Sequence, residues 1–177
     1  LKKEQKAKEL LAEAGYPDGK GFPSIEIMIN PGHESIAEAV IYMWQQELGI
    51  NATVSSQDWA VFTDTRRRGD YQIARHGWLA DYNDPISFLD MWVTNGGNND
   101  AKYSNPEYDA LVAKIKASSD RKERIDLMHQ AEDVLAKDMP IIPLYFYTDL
   151  YLKSDKLEGF FTSPLGFKFF KFASVKE

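Results

Sequence analysis

Apolar residues first recur at helical spacing at Ala7, Leu10, Leu11 and Ala14, and Gly15 follows as a stop. Pro17-Asp18-Gly19 reads as a turn. From Ser24 to Asn30 the period changes to two: Ile25, Ile27 and Ile29 share one side, which predicts a strand ended by Pro31-Gly32. Helical spacing returns at Ile36, Val40, Met43, Trp44 and Leu48, closed by Gly49. Ile50 to Val54 predicts a second strand. Asp58 opens a third helix carrying Val61, Phe62 and Thr65, with Gly69 after it. Tyr71 to His76 predicts a third strand.

Beyond a loop, Pro85 to Trp92 reads as a short helix with proline in its first turn. Asn95 to Asp100 is a loop by composition. Two longer helices follow. Asn105-Pro106 starts one, with Tyr108, Leu111, Val112 and Ile115 on its apolar side. Asp120 and Glu123 stand at capping-box spacing for the other, with Ile125, Met128, Ala131 and Leu135 inside. Leu144 to Leu152 reads as an aromatic, strand-rich stretch, and the Phe-rich run from Phe160 to Phe172 as further strand. No internal repeat is visible.

Strands alternating with helices imply an α/β fold around a largely parallel sheet. In such sheets ligands bind outside the carboxyl ends of the strands, so the loop after the third predicted strand is the first candidate site. It reads Arg75-His76-Gly77-Trp78-Leu79-Ala80-Asp81-Tyr82-Asn83-Asp84-Pro85. From the residues alone two readings stand. Trp78 and Tyr82 are core residues and Asp81 a helix cap, or the segment faces a ligand. Asp84, directly before Pro85, fits the cap better, which leaves Asp81 without a structural task.

Composition narrows the classes. The 177 residues include 27 acids and 21 bases, a net charge of −6, which argues against nucleic acid as a partner. There is no cysteine, so thiol catalysis, disulfides and cysteine metal sites are excluded. No apolar run approaches the roughly 20 residues a membrane-spanning helix needs. His33, His76 and His129 form no H-x-x-x-H or H-x-H pair, and neither a G-x-S-x-G elbow nor a phosphate-binding P-loop occurs. These absences point away from an enzyme. Nothing calls for a metal or a cofactor. The chain opens on Leu1 within a helical pattern, which is expected of a piece of a longer protein.

Four segments, in order, resemble one family. They are DTRRRGDYQIARHGWLADYNDPISFL (residues 64–89), LLAEAGYPDGKGFP (10–23), YSNPEYDALV (103–112) and AEDVLAKDMPIIPLYFY (131–147). Each is similar to the matching stretch of oligopeptide-binding proteins in the extracellular solute-binding family 5. The resemblance covers nearly the whole chain. It implies a type II periplasmic-binding-protein-like lobe with a mixed, largely parallel sheet flanked by helices. Residues 1–177 would form the C-terminal peptide-binding lobe, with 157–177 returning toward an absent N-terminal lobe. The implied partners are short peptides, that other lobe and the permease subunits of an ABC importer. The implied location is extracytoplasmic, in a periplasm or lipid-anchored at the cell surface. A dipeptide, a nickel complex or another small solute is the alternative ligand, and peptide sensing the alternative role.

The resemblance also implies residue roles. Asp81 matches the carboxylate that receives a peptide's N-terminal ammonium, a charge-assisted contact. Gly77 and Leu79 match positions whose main chain pairs with an extended peptide, a mode indifferent to side-chain identity. Trp78 and Trp59 match tryptophans that wall side-chain pockets. Arg75, Arg66 and His33 match positions near ligand side chains or the C-terminal carboxylate. His76 stands where the family pattern has a small residue, and its role is open.

Overall fold

A computed structural model describes residues 2–177. The described chain divides into two compact units, one ending at Gly77 and the other beginning at Trp78.

The first unit is an α/β layer structure. Its sheet holds β1 (Ile25–Ile29), β2 (Ala52–Ser56) and β3 (Ile73–Ala74) in the order β2-β1-β3, all parallel. Three helices accompany it: α1 (Lys2–Glu13), α2 (Glu34–Leu48) and α3 (Trp59–Arg68). Going from β1 to β2 and then across to β3, the chain reverses its lateral direction. Right-handed crossovers in opposite directions place α2 and α3 on opposite faces of the sheet.

Ile27 and Ile29 bury against Ala37, with Val40, Ile41, Trp44, Val54 and Ile73 packed around them. The face of α2 is therefore rotated from the sequence expectation. Ala37, Val40, Ile41 and Trp44 face the sheet, whereas Ile36 and Met43 are exposed. The apolar positions in this helix outnumber those one face can hold, so spacing alone left two faces open. Met28 projects to the other side of the sheet, where it too is buried.

The second strand also starts later than Ile50. The Ile50 N–H bonds to the Trp44 carbonyl at 3.3 Å as part of the α2 terminus, so it cannot join the ladder, which opens at the Ile25↔Ala52 pair. Gly49 ends α2 at φ 68° and meets the turn at Asp18-Gly19 backbone to backbone. A Cβ on Gly49 would lie 2.3 Å from the Asp18 carbonyl oxygen. Gly49→Ala should destabilise the first unit by about 1–3 kcal/mol, from left-handed strain with the clash adding to it. Urea denaturation checks this, and an unchanged midpoint would refute the close approach.

In the second unit the core is helical. The short helix α4 (Ile86–Leu89) runs into a 3-10 turn at Asp90–Trp92, and α5 (Pro106–Ala117) and α6 (Arg121–Asp138) follow. Ile86, Leu89, Trp92, Tyr108, Ile115 and Met128 lie in one buried cluster. Asn105 caps α5 through bonds from the Glu107 and Tyr108 N–H groups. Asp120 caps α6 through the Glu123 N–H, but the expected reciprocal arm is missing: the Glu123 carboxylate accepts from the Ser118 hydroxyl instead.

The loop at 95–100 is tied from within. Buried Asn99 donates to the carbonyls of Val93 (3.0 Å) and Tyr103 (2.7 Å) and accepts from the Tyr103 N–H (3.0 Å). One amide thus closes a loop that contributes little packing of its own.

Leu144 to Leu152 forms no strand, contrary to the sequence expectation. Its side chains are exposed, and among the described residues no neighbouring strand lies beside it to supply a ladder. The Phe-rich run does contain strands. β5 (Phe161–Thr162) pairs antiparallel with β6 (Lys168–Phe169), with Phe161 stacked on Phe169 at 4.8 Å. Around them β4 (Leu157–Glu158) pairs antiparallel with β7 (Ser174–Val175).

Candidate functional site

Three of the candidate residues lie at the carboxyl edge of the parallel sheet. His33 follows β1, Trp59 follows β2, and Arg75 follows β3, where the Arg75 N–H extends the ladder to the Met28 carbonyl at 2.8 Å. Parallel strands carry their outgoing loops to one edge, so residues far apart in sequence converge there.

His33 is the N-cap residue of α2, but its side chain makes no capping bond. Partial burial, reinforced by the Arg75 charge and opposed by Glu34, holds the imidazole below its ordinary pKa. It is neutral at pH 7 and can accept or donate one hydrogen bond. Glu34 braces the same loop by accepting from the Gly32 N–H at 2.8 Å and from the Ser56 hydroxyl at 3.3 Å, which joins the exits of β1 and β2.

Trp59 is 59% exposed at the start of α3 and stacks on Phe62, with ring centroids 6.0 Å apart. Asp58 occupies the N-cap position, yet its side chain makes no cap bond. Arg66 lies over the Phe62 ring as well, 5.3 Å from its centroid. Seven residues of helix separate Arg66 from Trp59, about 10 Å along the axis. Arg66 thus lies in the last turn of α3, about two turns on from Trp59. Gly77, exposed, closes this unit.

The remaining candidates open the second unit. Trp78 is half-buried and packs against the cluster formed by α4, α5 and α6. Leu79 is 72% exposed. Asp81 is exposed as well, and its backbone N–H is held by the Ser87 hydroxyl at 3.0 Å.

Asp84 does the capping work. It accepts from the Ile86 N–H at 3.0 Å and pairs with Arg124 at 2.8 Å. Burial alone would raise its carboxyl, but the Ile86 bond and the Arg124 guanidinium together hold it below the usual carboxylate range. A second acid at Asp81 is not required for the helix start.

A carboxyl whose folded pKa is depressed stabilises the fold above its unfolded value near 3.9. That contribution is lost as pH falls through the lower folded value. Asp84→Asn should therefore cost about 1.5–3 kcal/mol at pH 7, and the gap between variant and parent should close below pH 4. Denaturation at pH 7 and pH 3 measures it, and a gap undiminished at pH 3 would contradict the ionic contribution.

The loops leaving this parallel sheet thus bring an aromatic ring, a guanidinium and an imidazole to one edge, the place where open α/β sheets meet ligands. Among the described residues no group of three or more acidic, histidine or cysteine side chains could hold a metal ion.

The chain belongs to the bacterial extracellular solute-binding proteins of family 5, whose middle region matches residues 2–100. It is 37% identical over 169 residues to the oligopeptide-binding protein OppA of Bacillus subtilis, covering 94% of this chain and 31% of that protein. It is 35% identical over 173 residues to the dipeptide-binding protein DppE of the same organism, covering 96% of this chain and 32% of that protein. The crystal structure of Haemophilus influenzae OppA complexed with RPPGFSPFR matches with a TM-score of 0.82 at 34% identity, over 89% of this chain and 31% of that one. The fold is thus that of a type II periplasmic-binding-protein-like lobe. The chain spans about a third of the length of these relatives.

Sequence reasoning missed two groups that organise the edge. Glu34, which bonds the loop after β1, carried no motif. Asn30, next after β1, passed as a strand end, and Gln57, next after β2, fell between the predicted second strand and third helix without a role. An exit residue of each strand in a parallel sheet is a candidate by topology alone, and that signal was available.

Proposed function

We propose that this chain is one wall of the binding cleft in the extracytoplasmic solute-binding component of an ABC importer, and that the solute is an extended oligopeptide. It forms the C-terminal lobe of a longer protein, with residues 157–177 returning toward the N-terminal lobe. The protein binds and delivers; it is not an enzyme and needs no cofactor. Its partners are short peptides and the membrane permease.

The observation that carries this reading is the division of labour between Asp84 and Asp81. Asp84 caps α4 and pairs with Arg124, while Asp81 is exposed in the loop that follows the sheet. A carboxylate so placed suits a peptide's N-terminal ammonium. Exposed Leu79 and Gly77 offer main chain to an extended ligand. Trp59 and Trp78 wall side-chain pockets, and Arg75, Arg66 and His33 meet polar side chains or the C-terminal carboxylate. The names of the relatives support peptides as the solute class. DppE, at nearly the same identity, supports a dipeptide as the second reading.

Calorimetry separates these readings. The full-length protein should bind tri- to pentapeptides more tightly than dipeptides, and the reverse order favours the dipeptide reading. The 177-residue chain alone should show no measurable binding, because half a cleft cannot exclude water around Asp81. Micromolar binding by the chain alone would overturn the shared-cleft reading.

A further inference from the structure

The β1–β2 ladder ends where the Gln57 N–H donates to the Ile29 carbonyl at 3.0 Å. Asn30 and Gln57 occupy the next register position on these adjacent strands, about 4.8 Å apart in the hydrogen-bonding direction. Both side chains are only partly exposed. Asn30 Oδ1 and Gln57 Oε1 are covered, and among the described residues neither has a hydrogen-bond donor. The Asn30 amide donates through Nδ2 to the Pro31 carbonyl at 3.3 Å, which orients its oxygen away from that bond.

A covered carbonyl oxygen without a donor is costly, and two on neighbouring strands are more so. The two amides also stand close in sequence to residues placed on the ligand side: His33 is three residues after Asn30, and Trp59 two after Gln57. Terminal amide torsions are soft, so either amide can turn toward a donor that arrives at the sheet edge. Two neutral acceptors on neighbouring strands match a group with two donors, such as an amide, ammonium or guanidinium. The two oxygens offer a carboxylate no donor.

We propose that Asn30 and Gln57 form a specificity element that selects ligands with a donor-rich, non-anionic side chain at one position. The inference rests on the peptide reading. It adds to that reading a preference which main-chain pairing cannot provide.

The test uses the full-length protein and alanine tetrapeptides in which each position in turn carries Gln, Met or Glu, three side chains of similar size. At one position Gln should be preferred over Met by about tenfold, with Glu weaker than both. Gln57→Met should erase the Gln preference there and leave the other positions unchanged. The same substitution should also raise the melting temperature of the unliganded protein, since it replaces an unsatisfied acceptor with an apolar group. Asn30→Leu, as a second variant, should lose the same preference.

A merely structural amide would behave in the opposite way, with Gln57→Met lowering the melting temperature, and that result overturns the proposal. Peptide binding with no difference between Gln and Met at any position also overturns it, while the peptide reading stands. If none of the peptides binds, the peptide reading fails and the specificity element fails with it.

Discussion

Asp81→Asn in the full-length protein should weaken peptides with a free amino terminus by about 2–5 kcal/mol, the range for removing one partner of a desolvated charge pair. The asparagine keeps the shape of the side chain and one carbonyl acceptor but removes the charge. The Asp81 carboxylate has no capping duty to lose, because Asp84 holds the Ile86 N–H and Arg124. The bond that ties it to the helix start is made by its backbone, from the Asp81 N–H to the Ser87 hydroxyl, and the substitution leaves that bond in place. Stability should therefore stay within about 0.5 kcal/mol of the parent, as for exposed sites generally. N-acetylated peptides should bind the parent as weakly as free peptides bind the variant. Equal binding of acetylated and free peptides by the parent would remove Asp81 from this role.

Tyr108→Ala should cost the fold about 3–5 kcal/mol, a large share of what a domain of this size has in reserve. The ring is fully buried at the centre of the helical cluster. It meets Tyr103 edge to face at 5.7 Å, and its hydroxyl donates to the Leu89 carbonyl at 2.5 Å. That carbonyl belongs to the last residue of α4, so the bond fixes the end of the helix whose start carries Asp84. Burial pushes the phenol well above its ordinary pKa, and it stays a donor throughout the physiological range. Tyr108→Phe keeps the ring and leaves the Leu89 carbonyl unpaired, which should cost about 1–3 kcal/mol. Urea denaturation of the three proteins gives the order parent, Phe, Ala. A Phe variant as stable as the parent would show that the hydroxyl bond is neutral.

The two substitutions probe different links of one chain of cause. Tyr108 holds the short helix, the short helix fixes Asp84 at its start, and Asp84 leaves Asp81 free of structural duty. Binding residues on a loop depend on rigid neighbours in this way.

Much of this was legible in the sequence. The change of period from 3.6 to 2 located β1, and Gly49 and Gly69 marked the ends of α2 and α3, where both adopt positive φ. Asp84 before Pro85 identified the cap that the structure shows. The misses have physical causes. In α2 the choice between Ile36 with Met43 and Ala37 with Ile41 depends on which side the sheet lies, and the helix does not encode that by itself. The start of β2 moved because a helix terminus took the Ile50 N–H, a competition invisible to alternation. Leu144 to Leu152 has strand composition, but a strand needs a partner for its backbone, and composition does not supply one. At the site, convergence of His33, Trp59 and Arg75 followed from topology. Topology also offered Asn30 and Gln57 as strand exits, but the bonds of Glu34, and the absence among the described residues of a donor to the two amide oxygens, become visible only in three dimensions.

The most direct test of the peptide reading is mass spectrometry of whatever the full-length protein releases on denaturation after gentle purification. A mixture of short peptides with free amino termini and varied sequence is the expected result. A single defined solute such as a metal complex, or a set of peptides with blocked amino termini, would contradict it.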